Sequence, residues 1–206
     1  MPQPTGTGLS MSSEAPAMER LLSALGDGKT RGLPPVERWN PSFCGDIDMR
    51  IAADGTWFYL GTPIGRPSLV KLFSSVLRKD GDDYVLVTPV EKLGITVEDA
   101  PFQAVEMAVD GEGAARSLAF RTQVDDVVSA GPDHPIRFER ADKGGLKPYV
   151  HVRRDLWARV TRAVTYDLLA LGEVRDIDGV AMFGVAAAGA FYPAVPAAEI
   201  EDEVER

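Results

Sequence analysis

The chain is predicted to fold as an α+β protein of two small, similarly built subdomains, each a mostly antiparallel sheet with an amphipathic helix. Three observations carry this. Stretches of period-two alternation recur in both halves, each half holds one helical stretch among its strands, and 206 residues with 45% apolar and 26% charged content suffice for two cores. The predicted boundaries are a disordered leader at 1–12, an N-terminal subdomain at 13–100, a C-terminal subdomain at 101–195 and an acidic tail at 196–206.

The elements follow in order. Met1–Ser10 is rich in Pro, Gly and Thr and lacks the apolar run of a secretory signal. A helix is expected from about Ser13, because Met18, Leu21, Leu22 and Leu25 share one face and Gly26 stops it. Gly26–Pro35 reads as a linker. Ile47, Met49 and Ile51 alternate with Asp46, Asp48 and Arg50, which marks a half-buried strand; Asp54-Gly55 turns it and Thr56–Leu60 returns. After a loop at Gly61–Gly65, Pro67 opens a second helix, with Leu69, Leu72, Phe73, Val76 and Leu77 on one face up to Asp80-Gly81. Strands are expected at Tyr84–Val87 and Gly94–Val97.

In the second half, Val105, Met107 and Val109 alternate into the turn Asp110–Gly113, and Ser117–Arg121 returns. Short strands are expected at Asp126–Val128, Ile136–Phe138 and Tyr149–Val152. Asp155 is placed to cap a third helix whose face is Leu156, Val160, Ala163, Val164, Leu168 and Leu171, closed by Gly172. Strands at Val174–Ile177 and Val180–Val185 follow. Arg66-x-x-Leu69 and Arg153-x-x-Leu156 stand at corresponding places, which with the agreeing strand order suggests duplication.

Charge and composition narrow the function. A formal charge of −9 repels phosphate backbones and anionic lipids. The single cysteine, Cys44, forms no internal disulfide and fits a reducing compartment. Gly179–Val195 is too short and too weakly apolar to span a bilayer. A cytoplasmic protein with neither nucleic acid nor membrane as partner, and without cofactor or metal, is expected.

Motifs of known chemistry fail on context. Gly28-Lys29-Thr30 resembles the end of a phosphate-binding loop but follows a helix and precedes prolines. Asp46 and Asp48 share a strand face, and Asp80, Asp82 and Asp83 cluster, without the pattern of a calcium loop. Two histidines, His134 and His151, and one cysteine do not make a structural zinc site. Cys44 beside Gly45 is expected to be a small buried residue, and Gly-x-Ser-x-Gly is absent.

Pro34-Pro35-x-Glu37-x-Trp39-x-Pro41, Cys44-Gly45, Asp54-Gly55-x-Trp57-x-Tyr59, Arg66, Leu72-Phe73, Thr88-Pro89-x-Glu91 and Val97-Glu98-Asp99-Ala100-Pro101-Phe102 occur in that order. In these residues the chain resembles the bacterial domain-of-unknown-function family 1285, over roughly residues 30 to 195 and most densely in the first half. The resemblance implies a duplicated two-domain α+β fold with curled sheets, the C-terminal half pleckstrin-homology-like. It implies no reaction, and a ligand site between the domains, for a nucleotide-like molecule in signalling.

Two groups of residues are candidates for such a site. Trp57 and Tyr59 share a strand face near Arg66, Glu91, Glu98 and Asp99. Either they face outward as a stacking platform beside Arg66, or they pack between the halves while Arg66 pairs with an internal acid. Lys147, Tyr149, Arg153 and Arg154, with Lys143 and the flexible Gly144-Gly145, form a basic segment that either wraps an anion or is simply solvated. The expected ligand set is therefore Trp57, Tyr59, Arg66, Glu91, Lys147, Tyr149, Arg153 and Arg154. The leading expectation is a non-catalytic ligand-binding or regulatory module for a small, nucleotide-like anion. An interaction adaptor using an exposed sheet edge is the alternative, and a metal hydrolase using Asp46 and Asp48 ranks third.

Overall fold

The structure, a computed structural model, describes residues 15–25, 32–141 and 144–204. The expected leader, Gly28-Lys29-Thr30 and Lys143 lie outside the described residues. The fold is α+β, and the chain divides into two compact units, Met1–Arg50 with Phe58–Thr96, and Ile51–Trp57 with Val97–Arg206. Each unit is a curled sheet with helices.

The first sheet has six strands in the order β3-β2-β1-β6-β5-β4. These are β1 (Phe43–Ile51), β2 (Trp57–Tyr59), β3 (Thr62–Pro63), β4 (Leu77–Asp80), β5 (Asp83–Val87) and β6 (Lys92–Val97). The helices of this unit are α1 (Ala15–Leu25) and α2 (Pro67–Ser75). Along β1 the expected alternation holds: Ile47, Met49 and Ile51 are buried and Asp46 and Asp48 exposed. Gly55 supplies the turn with φ +86°, and a Cβ there would come within 2.5 Å of the Gln103 side chain, so only glycine suits both the backbone and the space. The return strand is shorter than the sequence implies. Leu60 and Gly61 both have positive φ, the signature of a two-residue turn, and they fold the chain back into β3 where a loop was expected.

Proline stands at the first position of α2, as anticipated, but the helix stops at Ser75 rather than running to Asp80. Leu77 fits the helical face by spacing, yet Leu77–Asp80 pair with β5, Leu77 opposite Leu86 and Asp80 opposite Asp83. Gly81, at φ +64°, turns that hairpin. Arg78 ties it down. Its Nη1 donates to the carbonyls of Val36 and Trp39, both at 2.8 Å, and its Nε and Nη2 grip Asp80 at 2.6 and 2.8 Å.

The second unit holds another six-stranded sheet, ordered β10-β11-β12-β7-β8-β9, and a three-stranded one, β13-β14-β15. The strands are β7 (Phe102–Asp110), β8 (Ser117–Thr122), β9 (Val127–Ser129), β10 (Ile136–Arg140), β11 (Leu146–Arg153), β12 (Leu156–Val160), β13 (Glu173–Ile177), β14 (Val180–Ala187) and β15 (Ala190–Pro196). All pair antiparallel except β12 with β7, where Ala158, Arg159 and Val160 lie beside Phe102, Gln103 and Ala104 in parallel.

That parallel strand corrects the expected third helix. Leu156–Val160 is extended, with Leu156, Ala158 and Val160 buried, and α3 (Arg162–Ala170) starts only after Thr161. Leu156 and Val160 are four residues apart, a spacing both helix and strand satisfy. Arg153-x-x-Leu156 therefore leads a strand while Arg66-x-x-Leu69 leads a helix, so this pair does not mark equivalent helices. Two further differences concern the C-terminal end. β15 is an additional strand, reached through the two-residue turn Ala188-Gly189, and Ala197–Val204 form a helix, α4, where an acidic tail was expected. Cys44 is exposed rather than buried, its Sγ 3.4 Å from the Ser42 carbonyl.

Candidate functional site

The expected ligand residues fall into different settings. In the first unit, Tyr59 is half-buried on β2 opposite Thr62. Arg66 is exposed ahead of α2 and gives the helix no side-chain cap. Glu91, only 6% exposed, is engaged: its Oε2 accepts from Arg20 Nε of α1 at 3.2 Å, and its backbone N–H donates to Thr88 Oγ1. A carboxylate so placed supports the turn beneath α1, while its Oε1 is buried without a hydrogen-bond partner among the described residues. The acidic cluster lines an open groove of about 370 Å³ formed by Phe43, Asp46, Asp80, Asp83, Tyr84 and Lys92, among others. Asp80 is already neutralised there by Arg78 and by Lys92 at 3.1 Å, and the Arg78 hydrogen bonds hold its carboxyl below the usual range. Among the described residues no three His, Cys, Asp or Glu are arranged to hold a metal ion.

In the second unit Trp57 is 1% exposed. The outward platform is corrected: Leu60 leaves the strand at its turn, so parity assigns Trp57 to the core. Arg153 is likewise structural. Its side chain, 11% exposed, pairs with Asp126 and lies 4.6 Å over the Phe102 ring, and burial pushes its guanidinium down from the usual range. Arg154 is half-buried at a turn with φ +53°, where its carbonyl faces His151 Nε2.

The remaining predicted residues, Lys147 and Tyr149, belong to a face that the strands β10, β11 and β12 build together. Ile136, Val150, Val152, Leu156, Ala158 and Val160 point to the core. Parity then sends Arg137, Lys147, Tyr149, His151, Trp157 and Arg159 to the other side. Tyr149 itself is only 1% exposed, covered within that face, so it supports the residues around it and is not the open ligand contact expected of it. Register sets them in rows: Arg137 opposite Tyr149, Tyr149 opposite Arg159, His151 opposite Trp157, and Lys147 opposite Glu139. The Arg137 guanidinium stacks 4.4 Å over Trp157 and 5.1 Å over Tyr149, and its Nη2 lies 3.2 Å from Glu139 Oε1. Its side chain is still 48% exposed.

Beneath it, the Tyr149 hydroxyl donates to Asp99 Oδ1 at 2.6 Å, and Arg159 Nη1 donates to Asp99 Oδ2 at 2.9 Å. Burial first, then Asp99, raises the Tyr149 hydroxyl well above the usual phenol range, so it stays a neutral donor. On the far side His151 meets Trp157 edge-on at 5.2 Å and stacks with His134 at 5.8 Å. His151 Nδ1 lies 2.9 Å from the Asp133 carbonyl, which fixes the ring against the 133–135 turn.

Chemically, the face offers the half-buried Trp157 ring, with the covered Tyr149 ring beside it, and cations held above and beside them, two of which already have a carboxylate. Such a surface suits a planar group with a negative charge. Sequence reasoning reached Lys147, Tyr149 and Asp99. It missed Arg137, Trp157 and Arg159, whose placement depends on register; the signal for Trp157 and Arg159 was the Leu156–Ala158–Val160 alternation, overridden by the helical reading.

Comparison with known proteins gives the following. Residues 34–100 match the family model described as the N-terminal domain of a domain of unknown function, DUF1285, and residues 101–194 match its C-terminal domain, described as a protein of unknown function. The crystal structure of a DUF1285 family protein from Silicibacter pomeroyi DSS-3 is 49% identical, with a TM-score of 0.81 over 88% of this chain and 97% of that one. A DUF1285 family protein from Shewanella baltica OS155 is 30% identical over 59% of this chain and 90% of its own, with a TM-score of 0.47. No curated protein matches the chain.

Proposed function

The chain belongs to the DUF1285 family, and from that premise, with no activity attached to either domain, we propose a non-catalytic ligand-binding or regulatory module, bacterial and cytoplasmic, that takes a nucleotide-like anion. The binding surface is the outer face of β10–β12. The observation that carries this reading is the Arg137 guanidinium, stacked on Trp157 and Tyr149 while half of it remains exposed. A base or similar ring extends that stack, where each ring contributes roughly 1–3 kcal/mol. The anionic group pairs with Arg137, Lys147 and Arg159. Because Asp99 and Glu139 offset two of these cations, inorganic phosphate alone binds weakly and the ring supplies much of the affinity.

Thermal-shift and calorimetric titration with adenine and guanine nucleotides test this, with inorganic phosphate as the ringless control. A nucleotide is expected to raise Tm at millimolar levels, and Arg137→Ala to weaken it by about tenfold, the loss of one exposed charged contact. If no nucleotide or phosphorylated metabolite moves Tm at that level, the reading fails.

A second reading, an interaction adaptor working through a sheet edge, is favoured by one observation. β13 is an edge strand, and Val174 on it is 56% exposed.

A further inference from the structure

The β13–β14 hairpin is exposed on both faces at its far end. Val174 points to one side and Ile177 and Val180 to the other, and all three are exposed, as are Arg175, Asp176 and Ala181. The turn between the strands is Asp178-Gly179, with φ of +54° and +83°, a tight two-residue turn. Only the tip, Asp176–Ala181, extends beyond β15; at Val174 and Arg175 the hairpin is backed by β15, which leaves β13 as the open edge of a three-stranded sheet. We propose that β13 pairs antiparallel with β13 of a second copy of this chain, about a two-fold axis through Val174. This names the partner for the sheet-edge reading above and rests on it, not on the nucleotide reading.

Register selects the partner. Ile177 and Val180 flank the two-residue turn, so they form a hydrogen-bonded pair, and Arg175 and Glu173 follow in the same phase toward β14. The backbone groups of Val174 and Asp176 therefore point outward, free for another strand. A two-fold antiparallel pairing must set outward residues against outward residues, which leaves three registers. Asp176 opposite Asp176 brings two carboxylates together. Val174 opposite Asp176 puts Arg175 against Arg175, and does so in a non-hydrogen-bonded pair, where side chains are closest. Val174 opposite Val174 is the remaining register. It joins two exposed apolar residues and sets Glu173 of each strand against Arg175 of the other.

Within one strand Glu173 and Arg175 already lie on the same face, with Arg175 Nη2 2.5 Å from Glu173 Oε1. Two such pairs meeting antiparallel make a square of alternating charge. The Arg175 guanidinium, 5.0 Å over the Phe191 ring, is held on that face. Lone edge pairing with few contacts is weak, so the expected dimer forms at high micromolar concentration, on the order of 100 μM.

Sedimentation equilibrium of the full chain tests this by charge exchange. Arg175→Glu and Glu173→Arg singly replace attraction with repulsion at two symmetric places, and each is expected to weaken association by about tenfold or more. The double exchange Glu173→Arg with Arg175→Glu restores the square and is expected to return association to within about threefold of the natural chain. A surface that responds only to net charge would instead associate more strongly with Glu173→Arg and more weakly with Arg175→Glu, because the chain carries a charge of −9, so weakening by both single changes is what separates the two. A natural chain that stays monomeric up to about 1 mM overturns the proposal, and so does association that ignores these substitutions or is not rescued by the double exchange. Nucleotide binding through Arg137 is read separately on the same variants, so the failure of either idea is visible without the other.

Discussion

Arg78 in the first unit and Arg137 in the second both stand on strands of six-stranded sheets, yet their environments differ. Arg78 is 15% exposed and has every nitrogen committed: two carbonyls, and both oxygens of Asp80. Arg137 is 48% exposed, lies over two rings, and has one peripheral carboxylate. The same contrast divides the tryptophans, Trp57 in the core and Trp157 on a half-exposed face. What separates a structural side chain from one with bonding capacity to spare is how completely its own neighbours use it up, not residue type, and the proposed function draws on that spare capacity. A guanidinium already bound on all sides fixes a turn; one resting on aromatic faces remains able to meet a ligand.

The tryptophans offer the largest test of that contrast. Trp57→Ala removes a fully buried ring and is expected to cost about 3–5 kcal/mol in urea unfolding. Trp157→Ala is expected to cost about 1 kcal/mol and to remove most of the nucleotide-dependent rise in Tm. Equal losses of stability at the two sites break the comparison, because Trp157 is then a core residue in effect.

How far the chain could be read in advance follows from the same distinction. The hairpin of β1 and β2 was legible because Ile47, Met49 and Ile51 alternate strictly with charged residues, a pattern with one burial solution. Trp57 and Tyr59 were not, since alternation says two residues share a face without saying which face is inside. Only the Leu60-Gly61 turn resolves that, and leucine seldom advertises a positive φ. Leu156–Val160 was misread because residues four apart satisfy two periods at once. That error hid Trp157 and Arg159, and with them the ring beneath Arg137. Lys147 and Tyr149 were visible as members of a basic segment, while Arg153, four residues beyond Tyr149 on β11, is turned to Asp126 past an irregularity in register. Pairing register, a property of two strands together, is what single-strand patterns omit.

Next in size is the Arg78 network. Arg78→Met keeps the length of the side chain and removes every hydrogen bond, leaving Asp80 with Lys92 alone and two carbonyls without their donor. The expected loss is about 3 kcal/mol, the usual consequence of removing one partner from a largely buried charged network. It should appear as a lower urea midpoint with an unchanged slope. Arg137→Met, by contrast, is expected to change stability by less than about 1 kcal/mol, as exposed pairs do.

The smallest effect is the pH dependence of Asp80, and its sign follows from the arrangement. Hydrogen bonding from Arg78 is the leading influence on the Asp80 carboxyl, with burial opposing it and Lys92 assisting, and the folded-state pKa lies below the ordinary 3.8. A depressed carboxylate pKa means that the contribution to stability is complete above the unfolded value and is lost as pH falls through the folded one. The difference in urea midpoint between the natural chain and Asp80→Asn should therefore be flat above about pH 5 and shrink below about pH 4. With the carboxylate about one-third exposed, the whole effect is expected to stay below about 1 kcal/mol. In an Arg78→Met background the same comparison should lose most of its pH dependence, because the guanidinium that depresses the carboxyl is gone. A difference that persists unchanged in that background would place the source of the acid sensitivity elsewhere, and Arg78 could then no longer stand for the fully committed side of the comparison with Arg137.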